Sequence, residues 1–106
     1  MNVIEELQVR LDLFAEERGW RKYHTSKNLV MALAAEAGEL LHIFEWLTEE
    51  ESDDLDLVDF NMARDEMADV FIYLARLADI LEVDLIQAAH AKIEKNAVKY
   101  PATVGP

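Results

Sequence analysis

Four acids have the spacing of a chemical site: Glu36 with Glu39, and Glu66 with Asp69. Members of each pair lie one helical turn apart, in segments otherwise rich in Leu, Ile, Val and Met. At about 100° per residue, Leu29, Leu33, Leu40, Ile43 and Leu47 fall on one stripe, with Glu36 in its middle and Glu39 on its flank. Met62, Val70, Tyr73, Leu77 and Ile80 form a second stripe, which Glu66 and Asp69 interrupt in the same way. A carboxylate on a core-facing stripe must be paired, protonated or bound to a metal. Arg64 projects away from the second stripe and Arg76 only skirts its edge, so cationic partners are scarce. An all-oxygen donor set suits Mg²⁺, with Mn²⁺ as a substitute, and suits zinc or copper poorly. The spacing is equally compatible with carboxylates at the rim of the stripe, paired with lysines. Glu45 and the acids at 49–51 lie on outer faces or in a loop and need no functional account. Gly38, between the two glutamates, costs about 1 kcal/mol relative to Ala inside a helix. Its missing side chain lets a neighbouring helix or a ligand come close.

The elements that must position these acids are helices. Apolar residues recur at three- and four-residue steps, and no segment alternates with period two for long. Ile4, Leu7, Leu11 and Phe14 stripe a first helix over 3–18, with Asn2 and Glu5 as N-cap and N3. Gly19 ends it, and 20–25 reads as a connecting loop. A second helix over 26–47 starts at Ser26 as N-cap. The acidic stretch 48–56 reads as a solvated loop. A third helix covers 57–81. Asp84 with Gln87 makes a capping-box-like start for a fourth, which Pro101 terminates. The expectation is an all-α, four-helix bundle-type domain over 1–101, with a loose tail at 102–106.

Composition narrows the function classes. The chain has 106 residues, enough for one domain, and 52% of them are hydrophobic. A domain this small buries only about 60–70% of its unfolded surface, so the surplus points to a homo-oligomer. Cysteine is absent, which removes disulfides and Cys-based zinc sites. No apolar run approaches the roughly 20 residues of a membrane span, and a basic-then-apolar leader pattern is missing at the start. The expected compartment is the cytoplasm, with no membrane partner. The net charge of −12 argues against a nucleic-acid partner. It also opposes a phosphorylated ligand unless metal cations stand between the acids and the phosphates.

Read in order, Glu36-Ala-Gly-Glu39 and Glu66-Met-Ala-Asp69 resemble the ExxE…ExxD signature of the MazG-like all-α nucleoside-triphosphate pyrophosphohydrolases. The surrounding sequence is similar to the dCTP pyrophosphatase branch of that family. The likeness includes Asn28-Leu-Val-Met-Ala-Leu-Ala-Ala-Glu-Ala-Gly-Glu-Leu, Phe44-Glu-Trp46 and Phe14-Ala-Glu-Glu-Arg-Gly-Trp20. Asp69-Val-Phe-Ile-Tyr73-Leu, Val83-Asp84-Leu85 and Lys92…Asn96…Lys99-Tyr100-Pro101 extend it over nearly the whole chain.

The resemblance implies that Glu36, Glu39, Glu66 and Asp69 bind Mg²⁺. It further implies attack of water on the α-phosphorus of a nucleoside triphosphate, releasing pyrophosphate and a monophosphate. Glu36 or Glu39 is the candidate general base. Trp20, His24, Trp46 and Tyr73 would contact the base and sugar, and Lys92, Asn96 and Lys99 the phosphates. A dimer or tetramer is implied as well. Plainer roles compete with these. Trp46 closes an apolar stripe, Trp20 and His24 lie in a loop, and lysines favour a helix C-terminus through its dipole. The branch carries a histidine where this chain has Leu11, so one hydrogen-bonding group for a cytosine is absent.

Three rival functions compete with the pyrophosphohydrolase. Glu39-Leu-Leu-His42 is an ExxH, half of a ferritin-like di-iron pattern, but His90 is preceded three positions earlier by Gln87. A phosphoribosyl-ATP pyrophosphohydrolase-like activity keeps the chemistry and changes the substrate. A non-catalytic helical module that binds nucleotides or a partner would make the acids mere surface.

Overall fold

The computed structural model describes residues 1–103, so Val104, Gly105 and Pro106, the end of the expected tail, lie outside the described residues. Pro101, Ala102 and Thr103 have no regular structure and are exposed. All regular structure in the described residues is helical, and no helix is long and apolar enough to cross a membrane.

Helix α1 spans Val3–Glu17. The Asn2 side chain accepts from the Glu5 backbone N–H at 2.8 Å and donates to the Glu5 carboxylate at 2.9 Å, closing the first turn. At the other end Gly19 adopts φ 67°, a left-handed conformation that costs glycine little. Trp20 N–H then bonds to Ala15 C=O at 2.8 Å and Gly19 N–H to Glu16 C=O at 3.0 Å, a Schellman motif. That motif folds Trp20 back onto Phe14, with ring centroids 5.7 Å apart in an edge-to-face pose. The expected loop then holds one 3₁₀ turn, Arg21–Tyr23.

Helix α2 spans Ser26–Phe44. Its cap is Thr25, one residue before the expected Ser26, because the Thr25 hydroxyl accepts from Asn28 N–H at 3.2 Å. The helix ends three residues before Leu47, which leaves Trp46 outside it. The acidic stretch expected to be a plain loop contains a one-turn helix, α3, Glu49–Ser52. Thr48 Oγ1 accepts from Glu51 N–H at 3.1 Å and Glu51 Oε1 from Thr48 N–H at 2.9 Å, a full capping box. Three acids in that first turn also suit the positive end of the helix dipole.

Helix α4, Leu57–Ile80, is capped by Asp56, which accepts from Asp59 N–H at 2.7 Å. It closes with a second Schellman motif, Val83 N–H to Ala78 C=O at 2.8 Å and Glu82 N–H to Asp79 C=O at 3.2 Å. Here the left-handed position is filled by Glu82, at φ 57°. Helix α5, Leu85–Lys99, starts on Asp84, whose side chain accepts from Gln87 N–H at 3.0 Å.

Helix α2 packs along α4, and α1 lies on α4 towards its C-terminal half. Buried alanines (Ala15, Ala63, Ala75 and Ala78) let the helices approach closely, and Leu29 fills the space between them. Helix α5 has no such partner: from Ile86 onward every described residue is exposed. The four-helix arrangement is therefore not completed within one chain. The radius of gyration, 17.2 Å, reflects this projecting helix, since a compact domain of 100 residues has about 13 Å. Exposed apolar side chains run along several faces, among them Met67, Leu57, Ile93 and Val98. Gly38 meets open space, so the close approach expected there is not made by this chain.

Candidate active site

The α2–α4 pairing brings the two acidic turns together. Glu36, Glu66 and Asp69 each place one carboxylate oxygen within 4.8 Å of the others. Glu39, a turn further along α2, is exposed and stands outside this set. Glu66 is half-buried, and its Oε2 is buried with no hydrogen-bond partner. Its carboxyl is pushed up from 4.5 to about 7, first by a hydrogen bond with Glu36, then by burial and by the charges of Glu36, Asp69 and Glu39. In the metal-free chain a proton on Glu66 relieves part of the crowding. A divalent cation would relieve it more fully. Hard, closely spaced oxygens with one buried oxygen unsatisfied are the donor set such an ion takes.

Beside this cluster lies a cavity of about 510 Å³ between α1, the 3₁₀ turn and α4. Asp69 lines it, so carboxylates and cavity share a wall. Phe14, Trp20 and Tyr73 supply flat faces, Leu11 an apolar patch, and His24 and Arg76 polar edges. The size is ordinary for a small-molecule site. The Schellman turn at Gly19 accounts for Trp20 standing here.

The far wall holds a network that the sequence pattern did not reveal. Arg76 has a side chain only 7% exposed. Its Nη1 lies 2.9 Å from Asp12 Oδ1, and Asp79 Oδ2 is 3.7 Å away. Its Nε donates to His24 Nδ1 at 3.2 Å. Asp12 is also gripped by Arg21, whose Nε donates to Oδ1 at 3.0 Å and whose Nη2 pairs with Oδ2. The Arg21 guanidinium holds the Asp12 carboxyl below its usual range, and Arg76 adds to this against the opposing effect of burial. Burial, then the Arg76 charge, lowers the His24 pKa. The expectation that Arg76 skirts the stripe is thus corrected. The cavity and α1 enclose it, and Asp12 compensates its charge.

No family model matches the chain. Among curated proteins, human dCTP pyrophosphatase 1 is 40% identical over 91 residues, covering 84% of this chain and 54% of the human protein. The bovine dCTP pyrophosphatase 1 is 39% identical over 90 residues, covering 83% and 53%. The chain spans about half the length of these curated relatives. A solved structure, a pyrophosphatase from Archaeoglobus fulgidus, superposes with a TM-score of 0.88 at 41% identity, covering 96% of this chain and 95% of that one. The chain belongs to the MazG-like pyrophosphohydrolase family.

Not every residue marked by the MazG-like pattern converges in this chain. Glu36, Glu66 and Asp69 meet, and Trp20, His24 and Tyr73 line the cavity beside them. Trp46 lies beyond the end of α2, 88% exposed and away from the cavity, because the helix stops before it. Lys92, Asn96 and Lys99 sit on the projecting α5, exposed and outside the cavity lining. His42 pairs with Glu45 at 2.6 Å on the outer surface and takes no part in the carboxylate set, which removes the support for a di-iron reading. Helix periodicity alone does not pick out Phe14, Arg10, Asp12 or Arg76 as site residues. A signal exists for one of them, since Asp12 lies one turn from Gln8 on the face that reaches α4.

Proposed function

We propose that this MazG-like chain hydrolyses a (deoxy)nucleoside triphosphate to the monophosphate and pyrophosphate in a Mg²⁺-dependent reaction. Pyrimidine dNTPs, dCTP and modified forms included, are the first class to test, with nucleotide-pool sanitation as the role. One observation carries the reading: a three-carboxylate cluster shares Asp69 with an aromatic-lined cavity large enough for a nucleoside. Mg²⁺, or Mn²⁺ in its place, held by Glu36, Glu66 and Asp69 would neutralise phosphate charge and reconcile a −12 chain with an anionic substrate.

The chain's own groups do the rest. The faces of Trp20 and Tyr73 would bracket the base, a contact worth about 1–3 kcal/mol for one stacked base. A water oxygen forms the new bond to the α-phosphorus while the α–β bridging P–O bond breaks, and the pyrophosphate leaves. Glu39, exposed and outside the three-oxygen set, is the carboxylate free to accept the proton that this water loses. Leu11 offers no hydrogen bond to the base, so an apolar or modified pyrimidine edge fits that wall as well as cytosine does.

Assembly belongs to the same proposal. The uncovered apolar faces and the unpartnered α5 suit a homodimer or homotetramer, in which α5 of a second copy would bring Lys92, Asn96 and Lys99 to the triphosphate. Sedimentation at micromolar concentration should show no monomer; a monomeric protein would contradict this assembly. Incubation with a panel of canonical and modified (d)NTPs and Mg²⁺ tests the reaction. Pyrophosphate plus monophosphate is expected. Orthophosphate plus diphosphate, or no turnover by folded protein, would overturn the reading.

A further inference from the structure

The network behind the cavity has a chemical consequence for its ligand. An arginine Nε–H can only donate, and it stays protonated at every working pH. Its bond to His24 Nδ1 therefore requires that Nδ1 carry a lone pair, which leaves the ring proton on Nε2. No protein partner occupies His24 Nε2 among the described residues, and the ring lines the cavity beside Asp69 and Tyr73. Arg76 is held against the ring. Its side chain is 7% exposed and is tied to Asp12 Oδ1 at 2.9 Å, while Arg21 engages both oxygens of the same carboxylate.

We propose that Arg76, anchored by Asp12, is a positioning residue that fixes His24 as the Nε2–H tautomer, so that the cavity offers a hydrogen-bond donor to a carbonyl oxygen or unprotonated ring nitrogen on its ligand. The proposal rests on the reading of this cavity as the base site. It assigns a substrate feature that the aromatic faces cannot read, because stacking tolerates any flat ring. A histidine free to take either tautomer would accept from an amino group as readily as it donates to a carbonyl. Locked by Arg76, it favours ligands that present an acceptor. The neighbouring charge and the burial both keep the imidazole neutral, in agreement with the lone pair at Nδ1. Removing the lock frees the wrong tautomer. The expected consequence is weaker binding with little change in the chemical step, because His24 is nowhere among the clustered carboxylates.

The test is nitrogen NMR of the His24 ring in the full chain, with substrate kinetics on Arg76→Met. In the wild-type protein the ring should show one tautomer, protonated at Nε2. In Arg76→Met the tautomers should mix, and KM for the best nucleotide should rise about fivefold with kcat nearly unchanged, as for the loss of one neutral hydrogen bond. Arg76→Lys keeps a charge for Asp12 but replaces two separate donor nitrogens with one, so it stands in if the Met variant fails to fold. The same tautomer mixing and KM rise are expected of it. A wild-type ring protonated at Nδ1, or a folded variant with unchanged tautomer and KM, would overturn the proposal. The spectrum needs no turnover. An inactive protein with an Nε2–H ring would count against the pyrophosphohydrolase reading alone, and an active one with an Nδ1–H ring against the positioning role alone.

Discussion

Helix α4 carries two charged clusters about two turns apart, and they resolve their charges in opposite ways. At Glu66 and Asp69, with Glu36 across from them, anions crowd one another and a buried oxygen goes unsatisfied. At Arg76, anion and cation are matched: Asp12 takes one guanidinium from α4 and another from Arg21, and its pKa falls. Glu66 shifts the other way, up to about 7. The matched cluster is neutralised within the chain, which holds Arg76 in place against His24. The unmatched one is destabilised until something positive arrives, which marks it as a site.

The largest effect should come from breaking the unmatched cluster. Glu36→Gln should keep its helical circular dichroism and lose roughly 100-fold or more in kcat/KM. Retained activity in that folded variant would sink the site assignment. Breaking the matched cluster should instead cost stability. Removing one partner of a buried ion pair costs about 3–5 kcal/mol; Asp12 is 35% exposed and keeps Arg21, so Arg76→Met should lose about 2–3 kcal/mol in urea unfolding.

The two clusters should also respond oppositely to pH. Glu66 is raised from 4.5 to about 7, so its folded state holds a proton that the unfolded chain gives up. Its contribution is full below about pH 4.5 and is lost as pH rises through 7. Thermal unfolding of metal-free protein should show this as a falling Tm, absent in Glu66→Gln and flattened by Mg²⁺. Asp12 is lowered, so its contribution is present above 3.8 and lost as pH falls through its folded value. Asp12→Asn should flatten the acid limb only. A control that touches neither cluster is Glu82→Gly. The left-handed conformation costs a non-glycine residue about 1–2 kcal/mol, so this change at φ 57° should stabilise by about 0.5–1 kcal/mol once glycine's entropy is subtracted. An unchanged urea midpoint would show that the Schellman turn tolerates glutamate without strain.

The same contrast separates what is legible in the chain from what is not. Acids interrupting an apolar stripe are visible because they violate a pattern, and so Glu36, Glu66 and Asp69 can be read together with the helices that carry them. Asp12 and Arg76 violate nothing conspicuous. Their partnership joins residues far apart in sequence and is created only when α1 lies on α4. Helix α3 escapes a reading by periodicity because its apolar pattern is empty, although the Thr48–Glu51 capping box that forms it is in plain sequence. Trp46 falls short of the site because its stripe runs on in sequence past the last turn of α2. Lys92, Asn96 and Lys99 share a face of α5, as expected, but periodicity does not say where a helix packs.

Hydrolysis of the best nucleotide in heavy-oxygen water, with mass analysis of both products, reads the position of attack without ambiguity. The heavy oxygen is expected in the nucleoside monophosphate, because water attacks the α-phosphorus and pyrophosphate departs unlabelled. Heavy oxygen in pyrophosphate or in orthophosphate would place the attack elsewhere and contradict the proposed reaction.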